Sequence, residues 1–167
     1  VAILRQYLKD EAVHGSKGYT NVALEQKWAC DVETLQGPIK VSARLDRMDQ
    51  NPSGDLCVID YKSGSNVPSK NEMKTGRMPQ LPIELLLAGQ GGPQDSVPTA
   101  SIAPVESLVI WPLTPSGDNR LHWGNEKGDL DALRTHVATG LPRVLGAFLD
   151  PKTPYLPLAT PEDEKYP

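Results

Sequence analysis

An aspartate and a lysine stand two residues apart at the end of a strand-like segment. The segment reads "LCVIDYK", residues 56–62, and its charged residues are Asp60 and Lys62. Side chains alternate between the two faces of a strand, so Asp60 and Lys62 are predicted to share a face. Asp46 lies on the polar face of the preceding strand-like segment. One hairpin could therefore bring two carboxylates and an ammonium group together.

This grouping suits metal-assisted hydrolysis of a phosphodiester. Carboxylate oxygens are the hard ligands that Mg²⁺ and Mn²⁺ prefer. A metal ion held by one or two carboxylates and otherwise by water keeps positions open for a phosphate oxygen and an attacking water. Lys62 could hold that water and favour its deprotonated form.

A purely structural interpretation of Asp60 and Lys62 is also open, because an ion pair at the end of a strand needs no function. The face they share also carries Leu56 and Val58, so an apolar surface runs directly into two charges. Burying charges beside apolar residues is costly unless the charges are paired or functional. This cost favours the functional interpretation.

The surrounding sequence predicts the strands that position these residues. Period-2 alternation predicts a half-buried strand over residues 39–49, and the turn signal "NPSGD" joins it to the strand over 56–62. Further strands are predicted over residues 22–35 and 108–113, the second after a loop over 89–104 rich in Gly, Pro and Ser.

Three helices complete the prediction. The first has Leu4, Leu8 and Ala12 at helical spacing and breaks near His14, and the second is "PQLPIELLLAG", residues 79–89. The terminal helix has one apolar stripe and an expected bend at residues 140–142; the stripe comprises Leu130, Leu133, Val137, Leu141, Val144, Leu145 and Phe148. This order of elements predicts an α/β fold with a central mixed β-sheet flanked by helices.

Length and composition limit the other possibilities. The 167 residues suit one domain, predicted over residues 1–167 as a piece of a longer chain with a Pro-rich tail over 150–167. The sequence has neither an apolar span of roughly 20 residues nor the layout of a secretion signal, so a cytoplasmic protein is expected. Cys30 and Cys57 form no CxxC motif, so no zinc or iron-sulfur site is expected.

The net charge of −4 argues against binding nucleic acid through bulk electrostatics. A local basic cluster follows Lys62, in which Lys70, Lys74 and Arg77 outnumber the single acid Glu72. These three bases could follow a phosphate backbone, and an ordinary solvated loop would account for them equally well.

Three segments together resemble a known nuclease signature: "ARLDRMD", "GDLCVIDYKSG" and "GRMPQLPIELLLAG". RecB-like PD-(D/E)XK nucleases carry G-x-I-D-R-I-D, then D-Y-K-T-G, then Q-L. The variant "PQLPIE", with Glu84 where many relatives carry Tyr, and the ending "DPKTPYLPLATPE" are most similar to the C-terminal nuclease domain of AddB, a subunit of bacterial AddAB helicase-nucleases. The resemblance implies a restriction-endonuclease-like core.

The resemblance also implies roles for individual residues. Asp46 and Asp60 would be metal ligands together with the main-chain carbonyl of Tyr61, Lys62 would position the attacking water, and Gln80 would lie near the active site and the DNA. Glu25 falls in the first strand, where relatives often carry an acid, although a solvated strand residue is equally consistent with its position.

The sequence departs from the family pattern in its histidines. The family's first motif supplies a metal-binding His from an upstream helix, and His14 does not match that motif. We therefore predict that His14, His122 and His136 are surface or packing residues. Some AddB proteins carry a four-cysteine iron-sulfur cluster, for which this sequence lacks the cysteines.

The resulting hypothesis is a Mg²⁺-dependent exonuclease domain, with Mn²⁺ able to substitute, that acts on DNA in double-strand break repair beside an AddA-like helicase-nuclease subunit. Two alternatives stay open: a free-standing or phage-encoded RecB-like exonuclease, and a non-catalytic DNA-binding or scaffold domain with the same fold.

Overall fold

Helices cover both faces of a mixed β-sheet in this chain. A computed structural model describes residues 2–63, 67–94, 103–115, 121–124 and 128–154. The elements are, in order, α1 (Ala2–Ser16), β1 (Thr20–Thr34), β2 (Gly37–Gln50), β3 (Leu56–Lys62), α2 (Lys70–Lys74), α3 (Gln80–Gln90), β4 (Gly92–Pro93), β5 (Val105–Pro112), β6 (Leu121–Gly124) and α4 (Asp129–Leu149). The predicted α/β class is confirmed.

The sheet has the strand order β4-β1-β2-β3-β5-β6. Strands β1, β2 and β3 form an antiparallel meander, whereas β3 and β5 are parallel. A parallel pair needs a crossover connection, and the segment that contains α2 and α3 supplies it. The crossover begins where β3 ends, so α3 can bring side chains to the carboxyl end of β3.

The core lies in two layers, one on each face of the sheet. On one face, Leu56 and Val58 of β3 pack with Leu85 of α3 and Leu133 of α4. On the other face, Cys57, Ile59 and Trp111 pack with Tyr7, Tyr19 and Tyr61 beneath α1. The alternation of β3 residues between these layers fixes which of its side chains face α3.

Helix α1 faces the sheet with its polar side, contrary to the prediction. Leu4 and Leu8 are 61% and 58% exposed, whereas Asp10 and His14 are buried. The helix also extends through His14 to Ser16. The physical reason is that α1 docks on buried charged residues of β2 and on aromatic rings, so the apolar spacing of its leucines marks the outer face.

Other differences from the prediction are local. The sequence did not predict the short elements α2, β4 and β6, and α4 runs through Pro142 without ending there. The apolar stripe of α4 is buried at Leu130, Leu133 and Val137, whereas Val144 and Phe148 are about half exposed. Residues 155–167 of the predicted tail lie outside the described part of the chain.

Gly91 allows the close approach between the end of α3 and the sheet. A Cβ atom at this position would lie 2.5 Å from the main-chain oxygen of Ala29 in β1. Within the described residues, no helix is long and apolar enough to span a bilayer.

Candidate active site

Two aspartates meet at the carboxyl end of β3. In the β2–β3 pairing Arg47 lies opposite Ile59, so Asp46 lies at the level of Asp60. The main-chain N–H of Tyr61 donates a hydrogen bond of 2.9 Å to Oδ2 of Asp46. Asp46 is half-buried and Asp60 is 2% exposed. The predicted hairpin geometry therefore brings both carboxylates to one place.

Lys62 and Gln80 join Asp60 at this place. The Nζ atom of Lys62 lies 2.8 Å from Oδ2 and 3.0 Å from Oδ1 of Asp60, which confirms that the two side chains share a face. Lys62 also donates a hydrogen bond of 2.8 Å to Oε1 of Gln80, the first residue of α3. Gln80 in turn donates from Nε2 to Oδ1 of Asp60 at 2.7 Å.

Glu84 is a third carboxyl group at the site, and the sequence analysis did not assign it a role. It lies one helical turn after Gln80, whose Nε2 donates to its Oε1 at 3.0 Å. The side chain is 2% exposed, and Oε2 is buried without a hydrogen-bond partner among the described residues. Two sequence signals could have identified it: the i, i+4 spacing from Gln80, and a single acid inside the apolar run "LPIELLLAG".

The site carries more negative than positive charge. Burial raises the pKa of Asp60 above its ordinary value, and the nearby Asp46 carboxylate raises it further, while the hydrogen bond from Lys62 opposes both effects. Burial raises the pKa of Glu84 to about 8, with smaller contributions from Asp60 and Asp46. Lys62 contacts one of these acids, Asp60. Such an arrangement favours a bound cation.

The opposite face of the sheet holds Tyr61 in place through a separate polar network. The guanidinium of Arg47 donates to the Tyr61 hydroxyl at 2.9 Å, forms two bonds of 2.7 Å to Asp49, and contacts Glu11 of α1. The Asp49 carboxylate is fully buried and also lies 2.8 Å from Nε2 of His14. This network attaches α1 to the strand that carries the site.

The predicted residue Glu25 lies apart from the contacts described above at the carboxyl end of β3. Glu25 lies between Leu24, opposite Arg47, and Gln26, opposite Leu45, so its main chain is at the level of Asp46. Its carboxylate is 66% exposed and lies 3.7 Å from Arg44. These contacts fit the solvated strand residue that the sequence analysis left open.

The predicted DNA-binding bases lie on and after α2. Nζ of Lys74 lies 3.3 Å from Asp129 at the start of α4, and Nζ of Lys70 lies 3.9 Å from the same carboxylate. All three of these groups are partly exposed, and Arg77 is exposed. Lys70 and Lys74 thus lie beside Asp129 in the folded chain, and their contact with DNA stays a prediction.

The histidines lie where the sequence analysis predicted, at surface or packing positions. His14 is buried and stacks on Tyr19 with ring centroids 4.4 Å apart. His122 and His136 are exposed. Trp28 and Trp111 are buried, and Cys57 is buried whereas Cys30 is half-buried. The side chain of Trp123 lies outside the described residues.

Comparisons with known proteins identify the family of this chain. The model of the PD-(D/E)XK nuclease superfamily matches residues 2–156. The chain is 39% identical over 54 residues to the uncharacterized protein RT0391 of Rickettsia typhi, and 30% identical over 76 residues to the uncharacterized protein RC0550 of Rickettsia conorii. These matches cover 32% and 46% of the chain but only 6% and 9% of the two relatives.

Among solved structures, the crystal structure of SSO0001 matches 83% of the chain and 58% of its own length, at 15% identity and a TM-score of 0.44. The family match spans nearly the whole chain, including Asp46, Asp60, Lys62 and Gln80. This chain therefore belongs to the PD-(D/E)XK nuclease superfamily.

Proposed function

We propose that the chain is a metal-dependent nuclease domain that hydrolyses DNA phosphodiester bonds. The observation that carries this proposal is the contact of Lys62 with the buried carboxylate of Asp60, next to Asp46 at the end of β3. An ammonium group can hold an attacking water, and two carboxylates beside it can hold a metal ion that binds the phosphate. A structural ion pair alone would not require the second carboxylate.

The donor set fits Mg²⁺ or Mn²⁺. Mg²⁺ is commonly bound by one or two carboxylates and keeps several waters. Asp46 and Asp60 supply two carboxylates, and the main-chain carbonyl of Tyr61 supplies a neutral oxygen. Among the described residues, no group of three His, Cys, Asp or Glu side chains is placed to hold a metal ion, so the Tyr61 carbonyl and waters would complete the ligand set. The carboxylates of Asp46 and Asp60 outnumber the ammonium group of Lys62 at this place, which also favours a divalent ion.

Each residue then has a distinct task. Asp46 and Asp60 would hold the cation, which when bound polarises a phosphate oxygen and favours ionisation of water. Lys62 has three N–H donors, of which Asp60 and Gln80 can occupy two, so a third can hold the attacking water. Gln80 would keep Lys62 beside Asp60. Lys62 also supplies positive charge where the transition state gains negative charge.

The wider setting belongs to the same proposal. The motif "PQLPIE" supports an exonuclease of AddAB type, working in double-strand break repair in the cytoplasm with an AddA-like subunit. Delivery of the strand by other parts of such an assembly would account for a net charge of −4 on a domain that acts on DNA. Lys70, Lys74 and Arg77 would contact the strand close to the site. A free-standing exonuclease would use the same chemistry.

The experiment is cleavage of end-labelled single-stranded DNA with Mg²⁺, with Mn²⁺ and with EDTA. Asp60→Asn tests the site, and Asp31→Asn, an exposed aspartate on β1, is the matched control. We expect metal-dependent cleavage by the parent and the control and none by Asp60→Asn. A closed circular single strand would stay intact if the enzyme needs an end. Binding of the linear strand without cleavage by any variant would support the scaffold alternative.

A further inference from the structure

Glu84 is an unfavourable residue for the stability of α3. Its neighbours Leu81, Leu85, Leu87 and Ala88 are buried in the core, as is Glu84 itself at 2% exposure. Its Oε2 atom has no hydrogen-bond partner among the described residues, and a buried unpaired oxygen destabilises the folded state. An apolar side chain would fill this position at lower cost, so the carboxyl group calls for an explanation other than packing.

The partner of Glu84 suggests that explanation. Nε2 of Gln80 donates to two acceptors, Oδ1 of Asp60 at 2.7 Å and Oε1 of Glu84 at 3.0 Å. The other end of the same amide, Oε1 of Gln80, accepts from Lys62 at 2.8 Å. If the amide were reversed, its oxygen would face two carboxyl oxygens and its NH₂ group would face an ammonium. The contacts therefore specify one orientation of the amide.

We propose that Glu84 is a positioning residue of the nuclease site, which acts on Lys62 and Asp60 through the side chain of Gln80. The proposal rests on the proposed nuclease function. Gln80 is exposed at the start of α3, and the Lys62 side chain is 24% exposed, so solvent competes for both. The hydrogen bond to Glu84 holds Gln80 toward the protein, and Gln80 then holds the ammonium of Lys62 beside Asp60.

Two variants separate this role from a packing role. Glu84→Met keeps the length and apolar stem of the side chain but removes both oxygens. Glu84→Gln keeps an acceptor oxygen for Gln80. Ala88→Gly is the matched control, because Ala88 is buried in the same helix and glycine there weakens the helix without altering the site.

The kinetic test is single-turnover and steady-state cleavage of linear single-stranded DNA in Mg²⁺, at a temperature where every variant is folded. We expect Glu84→Met to reduce kcat about 10- to 100-fold, the usual loss when the partner of an active-site group is removed, with KM for DNA unchanged. Glu84→Gln should restore most of kcat. Glu84→Met should melt at or above the parental temperature, whereas Ala88→Gly should melt lower and keep its kcat.

A second measurement does not depend on activity. The side-chain amide protons of Gln80, identified in nitrogen-15 spectra by their absence in Gln80→Glu, should exchange slowly with water in the parent and in Glu84→Gln. They should lose this protection in Glu84→Met. This readout follows the orientation of Gln80 in the metal-free protein, and a loss of packing elsewhere in α3 would not reproduce it.

The outcomes are distinct. Parental kcat in Glu84→Met, an undisturbed Gln80 amide in that variant, or a fall in kcat that Ala88→Gly shares would each overturn the proposal. Absence of cleavage by the parent would overturn the proposed nuclease function instead, and the amide exchange would still decide whether Glu84 orients Gln80.

Discussion

The main-chain N–H of Tyr61 donates a hydrogen bond of 2.9 Å to Oδ2 of Asp46, across the pair of strands that builds the site. This bond fixes one oxygen of the Asp46 carboxylate. It also joins the residue that carries the predicted carbonyl ligand to the residue that carries a predicted carboxylate ligand. Asp46 thus combines a structural contact with its proposed role as a metal ligand, and substitution can separate the two.

Asp46→Asn and Asp46→Ala should lose metal binding equally but differ in stability. Both variants remove the negative charge, so we expect the affinity for Mn²⁺ to fall by at least about tenfold, since affinity follows the charge of the ligands. Asn can still accept the hydrogen bond from Tyr61, whereas Ala cannot. The free energy of unfolding of Asp46→Ala should therefore fall by about 1 kcal/mol. Calorimetric titration with Mn²⁺ and urea denaturation in EDTA measure the two effects. Parental Mn²⁺ affinity in both variants would show that Asp46 is not a ligand.

Asp60→Asn should not destabilise the metal-free protein at neutral pH. The pKa of Asp60 is raised by burial and by Asp46, so ionising this group costs more in the folded state than in the unfolded state. Protonated Asp60 therefore contributes to the free energy of unfolding below the unfolded-state pKa. This contribution is lost as the pH rises through the raised pKa of the folded state. We expect the free energy of unfolding of Asp60→Asn in EDTA to equal or exceed that of the parent at pH 7.5, and to lose this advantage at pH 4. A marked loss of stability at pH 7.5 would contradict this account of the charges.

Lys62→Met should slow turnover while metal affinity is retained. Removing one charged donor aimed at the reacting group costs about 10²- to 10³-fold in kcat in comparable sites. Mn²⁺ affinity should stay the same or increase, because a positive charge next to Asp60 is removed. Cleavage rates and calorimetry on Lys62→Met should be compared with Lys40→Met, an exposed lysine on β2. A loss of Mn²⁺ affinity would instead give Lys62 a role in forming the metal site.

The sequence predicts the part of the site that depends on local pattern. Alternation along β3 places Asp60 and Lys62 on one face, and the pairing of β2 with β3 sets the level of Asp46. The sequence pattern therefore indicates that these three residues can meet, although Leu45 and Met48 on one face show that the alternation of β2 is interrupted beside Asp46. Gln80 followed from the motif resemblance. The i, i+4 spacing of Glu84 from Gln80 was a local signal, but the docking of α3 was needed to show that the Glu84 carboxyl group is buried at the site.

The sequence analysis predicted the wrong buried face for α1, again because the deciding contacts are not local. The apolar spacing of Leu4 and Leu8 normally marks the buried face of a helix, yet both side chains are exposed. The buried face instead carries His14, which meets the Asp49 carboxylate on β2. Such a contact joins residues 35 positions apart, and periodicity within one segment cannot reveal it.

The same contact predicts how acid destabilises the fold. Burial alone would raise the pKa of Asp49, but hydrogen bonds from His14, Arg47 and Asn21 lower it to about 2. A folded-state pKa below the unfolded value means that Asp49 stabilises the fold above about pH 4 and loses this contribution as the pH falls toward 2. The shift corresponds to roughly 2 kcal/mol at neutral pH.

We therefore expect Asp49→Asn to lower the free energy of unfolding by about 3 kcal/mol at pH 7, because Arg47 loses a buried anionic partner. The difference from the parent should shrink at pH 3, where the Asp49 carboxylate begins to take up a proton in the unfolded state and then in the folded state. Urea denaturation of the parent, Asp49→Asn and the exposed-site control Asp31→Asn at both pH values measures this change. A difference of equal size at pH 7 and pH 3 would mean that Asp49 stabilises the fold by shape and hydrogen bonding, with its charge contributing nothing.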